Sequence, residues 1–307
     1  MKKIAFIFPG QGSQKVGMGK DFYDNFEVSK KIFDQADGLL GYKLSDIIFN
    51  GPIEELSLTK NSQLAIFVNS IAILAAINEI YPNITPDICA GLSLGEYSAI
   101  YASKKLGFDQ LIYLIQKRAL LMDEACLKND GAMAAVLKMD KKDIKDSIND
   151  IEDIWIANLN TPDQTVISGK KSSIEKAQKI LLQKGAKRVV ILDVQGAFHS
   201  PYMKYAEENL QDEILKTNFL DSPIGLVMNI TATKVQETSN LKTNLIKQVS
   251  STILWEESVK TIDEEIDLFI EIGSKTLTNM NNKMVKTMSI SIAKMQDLKE
   301  LENAFEK

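Results

Sequence analysis

Two residues in this chain have the side chains of a nucleophile and its base. Ser93 is the centre of Gly91-Leu92-Ser93-Leu94-Gly95, and His199, in Ala197-Phe198-His199-Ser200-Pro201-Tyr202-Met203, is the only histidine in 307 residues. A serine hydroxyl is a weak nucleophile at neutral pH until a neighbouring group, most often an imidazole, takes its proton. If a histidine activates Ser93, it is therefore His199. Glycines flanking a serine let a strand turn into a helix so sharply that the hydroxyl is pushed out at the head of the turn. A helix beginning just after Ser93 aims its positive end and unpaired amides at a reacting oxygen. No acid can be assigned from sequence to orient His199, which leaves a neutral amide or a main-chain carbonyl for that task.

Two further segments have the chemistry of a binding site. Gly10-Gln11-Gly12-Ser13-Gln14 follows the first apolar run, but Lys15 stands where a Gly-x-Gly-x-x-Gly dinucleotide fingerprint needs its third glycine. The better reading is a loop that lends a main-chain amide, that of Gln11, to an oxyanion. Arg118 is embedded among apolar residues in Gln116-Lys117-Arg118-Ala119-Leu120-Leu121-Met122. An arginine so placed commonly lays its stem on a surface with its head in water. The functional alternative is a guanidinium fork closing on a substrate carboxylate.

The elements that must position these residues follow from hydrophobic pattern. Ile4–Phe8 is a continuous apolar run ended by Pro9-Gly10, which predicts an interior strand. Gln63–Ile80 predicts a helix packed on both sides, Ile88–Ala90 a short buried strand, and Gly95–Tyr101 and Phe108–Cys126 two helices. This alternation, with a late core strand at Asp267–Ile272, indicates a mostly parallel α/β sheet. The middle of the chain reads as strand Ala132–Leu137, helix Lys141–Ile148, strands Ile154–Ala157 and Thr165–Ser168 around a loop at Asn160-Thr161-Pro162-Asp163, helix Ser172–Lys184 with Ser172 as N-cap, and strand Arg188–Leu192. That β-α-β-β-α-β order is the pattern of a small ferredoxin-like module. An inserted domain is expected over residues 128–196, with 1–127 and 197–307 forming one larger α/β domain.

Composition narrows the class. The chain is 45% hydrophobic and 25% charged with a net charge of −5, which fits a globular enzyme and argues against a nucleic-acid partner. The run Ile4–Phe8 is too short for a signal peptide, and no stretch is expected to span a bilayer. Cys89 and Cys126 offer neither a disulfide framework nor metal-ligand spacing, so reduced thiols in a cytoplasm are expected.

Together these segments resemble the malonyl-CoA:acyl carrier protein transacylase family. The matching pieces are Phe6–Gln14, Gly91–Ala99, Arg118, Gly131–Val136, Asn158–Pro162 with Val166–Gly169, Ala197–Met203, and Gln248 seven residues before Trp255. The resemblance runs over nearly the whole chain in order. It implies a hydrolase-like α/β domain carrying a ferredoxin-like insert, and a two-step exchange. Ser93 would attack malonyl-CoA with His199 as base, the amides of Gln11 and Leu94 would hold the oxyanion, and Arg118 would pair with the malonyl carboxylate. The phosphopantetheine thiol of an acyl carrier protein would then collect the malonyl group, with no cofactor or metal. Gln248 matches the position that orients the histidine, and Gln63 and Asn160 match positions near the pocket. Ala197-Phe198-His199 resembles the malonyl-selecting version of its motif, in which Phe198 crowds an α-methyl branch, a discrimination of ~1–3 kcal/mol. A monomer with no membrane partner is expected.

Three segments depart from the pattern. Leu92 replaces the family's usual histidine before the nucleophile. Glu271-Ile272-Gly273-Ser274-Lys275 replaces a Gly-Pro-Gly turn, and Ser250-Ser251-Thr252-Ile253 lacks the usual Asn-Pro. A serine hydrolase is the main competing reading, and a polyketide-pathway acyltransferase or a non-catalytic docking subunit are others. Arg118 and the Gln248 match favour a transferase. For docking an acidic carrier protein, Lys184, Lys187, Arg188 and Lys204 are the candidate cations.

Overall fold

The computed structural model describes residues 2–305. Ten strands are formed among them: β1 (Ile4–Phe8), β2 (Ile88–Gly91), β3 (Gly131–Leu137), β4 (Ile154–Thr161), β5 (Gln164–Lys170), β6 (Arg188–Ile191), β7 (Gly225–Met228), β8 (Thr233–Lys234), β9 (Leu268–Ile272) and β10 (Met288–Ile292). The chain divides into two compact units. The first takes residues up to 116, 218–227 and from 261 onward; the second takes 117–217 and 228–260.

In the first unit every residue of β1 is buried, as a strand covered on both faces requires. The strand order is β10-β9-β1-β2-β7, and all four pairings are parallel. Register matters for function here: Phe8 lies opposite Gly91. The loops leaving β1 and β2 therefore start side by side at the carboxyl end of the sheet, where open α/β sheets place their sites.

The helix expected from Gln63 runs from Thr59 to Ile80, and most of its residues are buried on all sides. By length and composition it could cross a membrane, contrary to the sequence expectation. Protein covers 78% of its most apolar window. The helices Lys20–Asn25, Glu27–Leu40, Leu44–Asn50 and Ile53–Ser57 were not anticipated. Glu27–Leu40 buries only a stripe that includes Phe33 and Ala36, and three of the four are seven residues or shorter, too short to show periodicity.

In the second unit β4-β5-β3-β6 form a wholly antiparallel sheet. All four strands lie within 128–196, although the compact unit containing them reaches further on both sides. Its helices Lys141–Ile148 and Lys171–Gln183 bury Ile144 and Ile148, and Ile174, Ala177 and Leu181, against Ala134, Val136 and Ile167 of the sheet. Each of these isoleucine and leucine side chains contributes roughly 1.5–3 kcal/mol on burial. Two local expectations are corrected. Ser172 is not an N-cap, because the helix starts one residue earlier and Lys170 occupies the cap position with no side-chain bond. Asn160 belongs to β4 rather than a loop: pairing with β5 continues to Thr161 opposite Gln164, past two irregularities, so only Pro162-Asp163 turn.

Candidate active site

The first unit builds a sharp strand-to-helix turn at Ser93. Ser93 has φ +52°, in the left-handed region that costs a non-glycine residue free energy. Gly95 N donates to Leu92 O at 2.9 Å and Glu96 N to Ser93 O at 3.1 Å as the helix Gly95–Ala102 begins. Glycine is required by contact on both sides. A Cβ on Gly91 would overlap the Gly95 carbonyl group, and one on Gly95 would overlap the Phe8 carbonyl oxygen.

The loop after β1 is pressed against that turn. Leu92 N donates to Phe8 O at 3.0 Å, and a Cβ on Gly10 would overlap the Leu92 carbonyl oxygen. Most amides in the two segments are committed. Ser13 folds back on Gly10 O through its amide at 3.4 Å and its hydroxyl at 2.8 Å, and Gly12 N donates to Gln14 Oε1 at 2.8 Å. The amides of Gln11 and Leu94 donate to no protein acceptor among the described residues. A cleft of about 810 Å³ opens on this unit, lined by Gly12, Ser13, Lys15, Ser274, Lys275 and Lys294 among others. Gln63 is fully buried in the helix Thr59–Ile80.

The second unit assembles the other candidates. Arg118, on the helix Phe108–Lys128, is only 1% exposed, so the solvated-surface reading is excluded. Its Nη2 donates to Gln248 Oε1 at 3.1 Å. His199 Nδ1 lies 2.9 Å from the main-chain carbonyl oxygen of Gln248. Gln248 therefore holds the imidazole with its backbone and the guanidinium with its side chain. His199 also has a positive φ, +56°. Ser200 frames this kink: its hydroxyl donates to Ala197 O at 2.6 Å and accepts from Tyr202 N at 3.3 Å.

Burial and the nearby Arg118 charge lower the His199 pKa from 6.5 to about 3, against the opposing pull of the Gln248 and Ser251 carbonyls. The ring is neutral at pH 7. With Nδ1–H given to a carbonyl, Nε2 keeps its lone pair for a proton. Phe198 is buried beside it in the chain. Asn160 is 6% exposed, with Nδ2 donating to Gln164 Oε1 at 3.3 Å.

The structure thus brings the sequence candidates together in two groups, Gln11 with Ser93 and Leu94, and Arg118 with Gln248 and His199. Asn160 is engaged by Gln164, a residue that sequence reading missed and that only the β4–β5 register reveals. Among the docking cations, Lys184, Lys187 and Arg188 are exposed, while Lys204 is ion-paired with Glu207. No cluster of side chains able to hold a metal occurs among the described residues.

Each unit thus carries groups of the kinds that acyl transfer employs: a strained serine turn with two uncommitted amides in the first, and a buried imidazole tied through Gln248 to a buried guanidinium in the second. A sequence model of acyl transferase domains matches residues 5–298, and the chain belongs to that family. It is 42% identical over 300 residues to the malonyl CoA-acyl carrier protein transacylase of Bacillus subtilis, covering 95% of this chain and 94% of that one. The crystal structure of an acyl-carrier-protein S-malonyltransferase from Bartonella henselae superposes with a TM-score of 0.94 at 32% identity, covering 99% of this chain and 100% of that one. A type II PKS acyl-carrier protein in complex with its malonyl-transacylase matches equally well in fold, with TM-score 0.94, 32% identity and coverage of 98% and 99%.

Proposed function

We propose that this protein transfers the malonyl group of malonyl-CoA to the phosphopantetheine thiol of an acyl carrier protein, through a malonyl ester on Ser93. The observation that carries this reading is the sharing of Gln248 by Arg118 and His199. A hydrolase of simple esters has no use for a buried cation joined to its base, whereas an acyl group that ends in a carboxylate has.

In the first half-reaction Ser93 Oγ attacks the thioester carbonyl and His199 Nε2 takes the hydroxyl proton. The Gln11 and Leu94 amides receive the negative charge on the tetrahedral oxygen, a contribution of about 3–4 kcal/mol per donor in comparable sites. The C–S bond then breaks, and CoA leaves as a thiol with the proton from His199. The malonyl carboxylate rests on Arg118. In the second half-reaction the carrier's thiol gives its proton to His199 and attacks the ester, and Ser93 Oγ recovers that proton as it leaves. Every proton is returned, so no cofactor is needed.

Phe198 is assigned the exclusion of α-branched acyl groups, and Gln63 and Asn160 the lining of the acyl pocket. Lys184, Lys187 and Arg188 are the proposed contacts for an acidic carrier. The protein acts as a monomer in the cytoplasm and supplies fatty acid synthesis. The likeness to a malonyl-transacylase seated on a type II PKS carrier favours polyketide supply as the second reading. Intact-protein mass spectrometry after brief mixing with malonyl-CoA tests the chemistry. A malonyl adduct absent in Ser93→Ala and discharged by holo carrier protein is expected; Ser93-dependent release of CoA without an adduct would establish a hydrolase instead. Parallel discharge by fatty-acid and polyketide carriers separates the two supply roles.

A further inference from the structure

The turn that carries the His199 acceptors is Gln248–Ser251, and it lacks a proline to stiffen it. A proline would fix one φ angle and remove unfolded freedom; Ser250-Ser251-Thr252 has neither advantage. Two local bonds close the turn, Ser250 N to Lys247 O at 3.2 Å and Ser251 N to Gln248 O at 3.4 Å, and external contacts supply the rest of its anchoring. Three of these tie the following residues to β4: Thr252 Oγ1 donates to Ile156 O at 2.7 Å, Ile253 N to Ala157 O at 2.8 Å, and Leu159 N to Ile253 O at 2.9 Å.

Besides the Arg118–Gln248 bond, a further side-chain anchor comes from the segment of His199 itself. Glu207 lies eight residues after His199 in the helix Lys204–Lys216 and is 8% exposed. Its Oε2 accepts the hydroxyl proton of Ser250, while Oε1 pairs with the exposed Lys204 at 2.5 Å. Ser250 lies between the two residues whose carbonyls act on the His199 ring, Gln248 and Ser251. The His199 segment and the 248–251 turn are therefore joined twice, once at the ring and once through Glu207. If Glu207 served only its pairing with Lys204, it would be a surface i,i+3 ion pair of little consequence. Such a pair needs neither a buried carboxylate nor the bond to Ser250.

We propose that Glu207 is a positioning residue for the reaction: through Ser250 it fixes the 248–251 carbonyls that hold His199 with Nδ1–H inward and Nε2 available to the nucleophile. Groups that orient a histidine by its second nitrogen set both its tautomer and its basicity. This rests on the reading of His199 as the base. The two ideas fail separately, because the tautomer of His199 can be observed without turnover.

The test uses the full-length enzyme and exploits its single histidine, whose ring ¹H–¹⁵N signals need no assignment. Glu207→Ala, Glu207→Gln and Ser250→Ala are compared with the parent for those signals and for the rate of malonyl-CoA acylation of Ser93. Expected for Glu207→Ala and Ser250→Ala alike is a shift of the ring signals away from the Nδ1–H form and a roughly 10-fold slower acylation with KM unchanged, as small misplacements of reacting groups produce. The double variant should be no slower than either single one. Glu207→Gln, which still offers Ser250 an acceptor oxygen, should recover most of the rate. Ring signals and acylation rate identical to the parent in Ser250→Ala would overturn the proposal even if Glu207→Ala fails to fold. A lowered thermal midpoint with unchanged ring signals would also overturn it.

Discussion

Arg118 Nη2 donates to Gln248 Oε1 at 3.1 Å, and this bond fastens a buried cation to the residue whose carbonyl faces the His199 ring. The two contacts use different parts of Gln248, so they can be separated by substitution. In Gln248→Ala the main-chain carbonyl remains while the guanidinium loses its holder. A hydrogen bond to a buried charge is worth ~1.5–3 kcal/mol, so the malonyl-CoA KM should rise by about 10-fold or more. The His199 ring signals should stay close to those of the parent. A loss confined to kcat, with KM constant, would contradict this division of labour.

Charge coupling between Arg118 and His199 has a consequence for pH. Part of the lowering of the His199 pKa comes from Arg118, and a malonate carboxylate bound there would cancel that part. His199 should therefore titrate well below 6.5 in the free enzyme and at a higher pH when malonate is bound. Following the C2–H shift of the only imidazole against pH, with and without malonate, measures both values. A free-enzyme titration at 6.5 would mean that the ring is solvated.

The same shift predicts acid sensitivity of the fold. Above pH 6.5 the ring is neutral in both folded and unfolded chains, and no stability depends on it. As pH falls from 6.5 towards about 3, the unfolded chain binds a proton that the folded protein does not. Stability should then fall by up to about 1.4 kcal/mol per pH unit from this group. Chemical denaturation of the parent and of His199→Gln between pH 7 and 4 checks the sign: the parent should lose more.

Gly10→Ala should disable acylation with the nucleophile and base intact. The added methyl group meets the Leu92 carbonyl oxygen, so the Gln11 loop and the Ser93 turn must move apart. Loss of one oxyanion donor costs about 10²–10³ in rate. A burst experiment with malonyl-CoA should show at least that slowing, with binding of malonyl-CoA retained.

Charge reversal at Lys187 and Arg188, which are exposed and lie on or beside β6, should raise the KM for carrier protein several-fold. The malonyl-CoA half-reaction is the internal control. Unchanged carrier kinetics would remove this surface from consideration.

How much of this was legible in the sequence depends on the range of the interaction. The Gly-Leu-Ser-Leu-Gly turn could be read because local sterics alone demand its glycines. The β-α-β-β-α-β order of the second sheet could be read because its helices and strands have clean periods, and the N-cap at Ser172 and the loop at Asn160 failed by a few residues where long-range pairing overrode local preference. Gln248 could be picked only by resemblance. That its backbone orients His199 while its side chain holds Arg118 depends on atoms 49 and 130 residues apart in sequence. No local pattern encodes such a contact. The Glu207–Ser250 bond and the positive φ of His199 were invisible for the same reason.

The central strand has a further consequence, for synthesis rather than catalysis. β1 pairs on one side with β2 and on the other with β9, where Ile4 lies opposite Leu268. At typical translation rates the partner for that second edge is made roughly 13 to 50 s after β1 itself. Until then a nascent chain carries an apolar strand with an open edge, the kind of surface that recruits other chains. Completion of the sheet must wait until the chain has been made as far as β10, nearly three hundred residues after its first strand began.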